Sequence, residues 1–142
     1  MNAIGYLFGA VPKEIMYENI NVYSWQKILD FPSFLYNLNV DIGIAPLEKC
    51  LFNDCKSNLK ALEFAALGIP GVYSDADPYK NMKYHSDDYF IENLQNLIDD
   101  IELRENIYQQ DYNTLKDSLY WDDNSLTNFV NSHLKLYKKV LG

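Results

Sequence analysis

The order of apolar segments in this chain predicts an α/β fold in which short strands alternate with helices before helices take over. Three observations carry that prediction. Short apolar runs recur at residues 3–8, 20–24, 40–45 and 70–74, each bounded by Gly, Pro or polar residues. The stretches between them, and everything from Asp87 onward, carry apolar residues at helical spacing. Strands separated by helices favour a parallel sheet, because parallel neighbours need a crossover connection.

Each element follows from its residues. Ala3 to Phe8 is apolar and aromatic and stops at Gly9, which reads as a strand. Pro12 to Glu18 has room for a helical turn or two. Ile20 to Ser24 reads as a second strand, and Trp25 to Leu38 as an irregular helix interrupted near Pro32. Val40 to Ala45 is apolar on both faces apart from Asp41, as the buried middle of a parallel sheet requires. A helix follows from near Ser57, then a fourth strand at Pro70 to Ser74. Phe90, Leu94, Leu97 and Ile98 share one helical face, and Leu103, Ile107 and Tyr108 follow. A last helix from about Asn124 carries Leu126, Phe129, Val130, Leu134, Tyr137 and Val140 at three- and four-residue spacing. The expected architecture is a Rossmann-like parallel sheet flanked by helices, with a helical C-terminal tail, in a single domain spanning 1–142.

Composition narrows the function. The chain has 142 residues, 48% hydrophobic and 23% charged, ordinary for a globular domain with a real core. Its formal net charge of -8 argues against binding duplex nucleic acid or an anionic membrane. No apolar run approaches the roughly 18 residues of a transmembrane span. The apolar N-terminus lacks the basic residues of a signal peptide, so the expected location is cytoplasmic. Cys50 and Cys55 have no zinc-like spacing to His85 or His133 and read as reduced core or loop residues. Asp111, Asp117, Asp122 and Asp123 read as a solvated acidic surface, and Trp25 and Trp121 as packing residues.

The helix after Ser57 holds an oddity. Cations are disfavoured in a helix's first turn, yet Lys56 and Lys60 stand at this one despite the acidic background. At about 100° per residue, Leu59, Leu62 and Ala66 form one stripe, expected to face the sheet. Lys56, Lys60 and Glu63 share a neighbouring arc. Ser57 can cap the helix, Gly68 suits its left-handed end, and Pro70 stops it. One reading of the charges is an i, i+3 ion pair between Lys60 and Glu63, worth about a few tenths of a kcal/mol. The other is a cradle for an anion, with helix N–H groups and lysines around a diphosphate and Glu63 taking sugar hydroxyls.

The segment Asp41 to Tyr79 resembles the C-terminal, donor-binding domain of group 1 glycosyltransferases, one half of a GT-B fold. The matching features are Pro46 after a strand, Phe52-Asn53 in the loop, Lys56-Ser57, Glu63, and Gly68-Ile69-Pro70, with Ser74 and Pro78-Tyr79 beyond. Leu97 to Asp100 followed by Leu103-Arg104, and Trp121 before the terminal helix, extend the likeness over nearly the whole chain. The resemblance implies a retaining hexosyltransferase that moves sugar from a nucleotide-sugar donor to a glycan or other acceptor, as in polysaccharide biosynthesis. It implies donor binding by Glu63 at the ribose, by Lys56, Ser57, Asn58, Leu59 and Lys60 near the phosphates, and by Pro46 and Asn53 in the adjoining loop. No metal cofactor is implied; Asp75 and Asp77 read as loop carboxylates. Catalytic residues are not assigned.

The chain departs from the family pattern twice. Cys55 stands where the first motif glutamate belongs, and the family's arginine and lysine near the domain start have no match before Lys13. The acceptor-binding half is also absent, so an N-terminal acceptor domain is expected as partner, in the same chain or another, and the isolated domain is expected to transfer nothing. A non-catalytic interaction module with a degenerate glycosyltransferase fold is the alternative. A flavodoxin- or receiver-like domain matches only length and strand–helix alternation, and the helical tail is too long for it.

Overall fold

A computed structural model describes residues 3–9, 11–15, 17–27 and 30–119. The predicted last helix and Trp121 lie outside these residues. The described chain is mixed α/β. Strands β1 (Gly5–Phe8) and β2 (Ile20–Tyr23) pair in parallel, and so do β3 (Gly43–Ala45) and β4 (Gly71–Tyr73). They form two separate two-stranded sheets rather than one continuous sheet among the described residues. Helix α1 (Phe31–Leu38) leads from β2 to β3; α2 (Leu51–Asp54) and α3 (Leu59–Leu67) lead from β3 to β4. Helices α4 (Phe90–Asp99) and α5 (Ile101–Leu119) follow.

Several expectations needed adjustment. Pro12 to Glu18 holds a single 3₁₀ turn at Lys13–Ile15. Pro32 does not interrupt a helix. It lies in the first turn of α1, where a missing N–H costs nothing and the fixed φ suits helix entry. Trp25 is 79% exposed and lies beside Gly9, where a Cβ would meet its ring at 2.6 Å. Ile44 of β3 is 44% exposed, so this strand is not buried on both faces.

Two cores hold the elements. Tyr73 of β4 points into the larger one with Leu35, Ala61, Phe64, Ala65 and Leu115. Its neighbour Val72 points the opposite way, as strand alternation dictates, onto Leu97 and Ile107. Phe8 and Tyr23 stack at 5.8 Å, while Phe31 and Phe34 of α1 meet Phe8 edge-on. That aromatic cluster fastens the first sheet to α1.

Helix α3 presses close to β3. A Cβ on Gly43 would come within 2.5 Å of the Phe64 ring, so only glycine fits beneath it. The expected stripe of Leu59, Leu62 and Ala66 is not the buried one: Ala61, Phe64 and Ala65 are buried, with Phe64 reaching Gly43 of β3, while Leu59 and Ala66 are exposed. Small alanines allow the close approach of α5, whose Leu115 shares their core, and the Phe64 ring fills the space above Gly43. Gly68 ends the helix at φ 77°, where its N–H reaches Ala65 O. Gly68→Ala would meet no neighbour, yet its left-handed backbone should cost about 1 kcal/mol in a urea melt.

Candidate functional site

Parallel strands joined through a helix place the helix's amino end beside the strands' carboxyl ends, and the loops there are densely tied. Ser74 Oγ accepts the Leu47 N–H at 2.8 Å, clamping the loop after β3 to the end of β4. Lys49 Nζ meets Asp75 Oδ2 at 2.7 Å. The Asp75 N–H donates to Asp87 Oδ1 at 3.0 Å, and the Asp77 N–H to Asp54 Oδ1 at 3.2 Å. The hydrogen bond from Lys49, then its charge, holds the Asp75 carboxyl below the usual range, and the same bond raises Lys49. This corner is acidic and self-paired. Among the described residues no cluster of three or more His, Cys, Asp or Glu is arranged to hold a metal ion.

The residues expected to bind a donor divide into two groups. Asn53 is buried and its Nδ2 donates to Glu48 O at 2.7 Å, so it shapes the loop from within. Pro46 is exposed directly after β3. The remaining six surround the start of α3. Ser57 does not cap it: the helix begins at Leu59, Asn58 is the N-cap residue, and it makes no side-chain cap bond. The reason is the separate turn of α2, which keeps the chain turning until Lys56, whose N–H reaches Asn53 O at 3.1 Å. The first N–H to find a carbonyl is that of Leu62, on Asn58 O. Those of Leu59, Lys60 and Ala61 have no acceptor among the described residues.

The lysines diverge instead of converging. Lys56 Nζ lies 5.0 Å from the ring centroid of Phe52, and Lys60 Nζ lies 4.7 Å from that of Phe31. Lys60 also closes a 2.7 Å ion pair on Glu63 Oε2, the i, i+3 pairing legible in the sequence. The Glu63 side chain is only 21% exposed, so a carboxylate with one oxygen tied to an exposed lysine stands at the edge of the apolar surface between α1 and α3. Chemically, the arrangement offers unpaired helix N–H groups, two cations held against neighbouring rings and a half-buried carboxylate.

Sequence reasoning missed the Lys49–Asp75 tie and the role of Phe31 beneath Lys60. Both join elements distant in the chain, which no local pattern announces. Cys55, at the first motif-glutamate position, is exposed and free, as is Cys50. Among the described residues no helix is long and apolar enough to cross a membrane. No protein-family model matches this chain, and no curated protein and no solved structure matches it.

Proposed function

We propose that this chain is the donor-binding half of a retaining, nucleotide-sugar-dependent glycosyltransferase of the GT-B type, its two parallel strand pairs forming part of a Rossmann-like sheet. The observation that carries the reading is the uncapped amino end of α3, flanked by Lys56 and Lys60 and followed one turn later by the Glu63 carboxylate. A diphosphate would take the N–H groups of the opening turn and draw Lys60 toward itself. That releases Glu63, whose two oxygens can accept a pair of ribose hydroxyls. No metal is required, since the helix dipole and lysines oppose the leaving diphosphate's charge. Two free, exposed cysteines suit a reducing cytosol.

Calorimetric titration of a panel of nucleoside diphosphates and nucleotide sugars against the chain tests this. At least one should bind, and Glu63→Ala should weaken it about tenfold, equivalent to roughly 1.4 kcal/mol. Equal binding by both proteins, or none by either, would defeat the reading.

A second reading is favoured by Leu51 and Phe52, 81% and 76% exposed on α2. Adjacent exposed apolar side chains of this size suit a partner's surface. An interaction module would associate with another chain regardless of Glu63→Ala.

A further inference from the structure

Between the buried Met82 and the opening of α4, residues 83–87 run along the edge of β4 that faces away from β3. None of their side chains is buried, and Tyr84 leans half-buried on the smaller core. Hydrogen bonds hold the segment instead. The Tyr73 N–H donates to Tyr84 O at 2.8 Å and the Ser86 N–H to Tyr73 O at 3.0 Å, a single parallel bridge. At one end the Lys83 N–H donates to Asp111 Oδ1 at 2.8 Å; at the other, Asp87 Oδ1 accepts the Asp75 N–H at 3.0 Å. The segment thus straps α5 to the loop after β4, which Lys49 ties to the loop after β3. A stretch with few apolar contacts, held by a handful of hydrogen bonds, opens before the whole fold does.

One of those bonds ends on an ill-placed group. Asp111 is buried, and its Oδ2 is closed to solvent with no partner among the described residues. A neutral carboxyl tolerates that place better than a carboxylate, which keeps one hydrogen bond where water offered several. The titratable side chains facing it are Tyr73 of β4 and His85 of the segment itself. The Tyr73 hydroxyl carries no positive charge. His85 commits Nδ1 to Met82 O at 2.6 Å and offsets the burial of Asp111 only in part. Lys83 reaches Asp111 through its backbone and is itself exposed. Helices α3 and α4, packed on α5, meet it through apolar residues that include Ala61, Ala65 and Leu97.

We propose that residues 83–87 form a pH-operated strap: ionisation of Asp111 favours their lifting from β4, which opens Oδ2 to water and releases the Asp75 N–H. Burial keeps the proton on Asp111 up to about pH 6, so the strap is tight in acid and loosens as pH rises through that value. The lifted form stays a minority of the folded protein, yet each opening unties the loop after β4 at the strands' carboxyl ends. The strap does not depend on donor binding.

Amide hydrogen exchange tests it, followed residue by residue from about pH 4 to about pH 7 and corrected for each amide's intrinsic rate. The Tyr73, Lys83 and Ser86 amides should exchange through an opening that about 1 M urea barely promotes, because a local motion exposes little surface. Its equilibrium constant should rise about tenfold or more across this range, as a carboxyl raised from 3.8 to about 6 allows. In Asp111→Asn the same opening should stay constant within about twofold. The Gly43 and Ile69 amides, bonded to Pro70 O and Phe64 O, report unfolding of the main core for comparison. The parent protein alone can overturn the proposal, either by an opening constant indifferent to pH or by urea slopes equal to those of Gly43 and Ile69. A pH dependence undiminished in Asp111→Asn would also overturn it and would assign the titration to His85.

Discussion

Asp111 alone should take about 2 to 3 kcal/mol from the fold's stability as pH rises from about 4 to about 6.5. Asp111 is 3% exposed on α5. Its Oδ1 accepts the Lys83 N–H at 2.8 Å, while its buried Oδ2 has no partner among the described residues. Burial raises the carboxyl from its ordinary 3.8 to about 6, and the Lys83 N–H and the nearby His85 only partly offset that. The folded protein thus holds this proton to a higher pH than the unfolded chain does. Stability from the protonated form is fully present below about pH 4 and is lost as pH rises through about 6.

Asp111→Asn keeps the acceptor for Lys83 and removes the charge. Its melting temperature should vary less with pH across this window than the parent's, and the difference between the two pH slopes isolates Asp111 from the other carboxylates. Parallel slopes would mean the carboxylate is solvated after all. Tyr73, whose hydroxyl is pushed upward by burial and then by Asp111, should titrate more easily in the variant.

Asp111 also illustrates what the sequence could and could not reveal. Its charge predicts a solvated acid, yet Ile107, Asp111 and Leu115 repeat every four residues and are all buried. The spacing was the signal; the charge masked it. Periodicity located the four strands and α4 within about three residues, because alternation and the 3.6-residue repeat are local. On α3 the stripe of leucines outweighed the alanines, since hydrophobicity ranks Leu above Ala. Close packing onto Gly43 reverses that order, and nothing local encodes it. The Lys60–Glu63 pair was legible because i, i+3 neighbours must meet on a helix. The Lys49–Asp75 pair was not, since only the fold brings those loops together.

Arg104→Ala should cost about 3 kcal/mol, read as a lower urea midpoint at unchanged m-value. Asp100 ends α4 and opens α5: its Oδ1 accepts the Leu103 N–H at 2.9 Å, an N-cap bond. Arg104 then reaches back over the junction. Nε donates to Leu97 O at 2.5 Å, Nη2 to Ile98 O at 2.9 Å and Nη1 to Asp41 Oδ1 at 3.2 Å. The first two carbonyls belong to the last turn of α4, where no helical N–H remains to satisfy them. The guanidinium side chain is only 17% exposed, so its loss would strand acceptors that water reaches poorly, beside Leu97, a residue with no exposure of its own. Asp41 is 74% exposed at its side chain, and Asp41→Ala should cost under about 1 kcal/mol. Arg104→Lys should recover little, because one ammonium cannot match a planar fork serving two carbonyls and a carboxylate. If Asp41→Ala proved as damaging as Arg104→Ala, the tie from α5 to the segment before β3, rather than the carbonyl cap on α4, would be what Arg104 chiefly supplies.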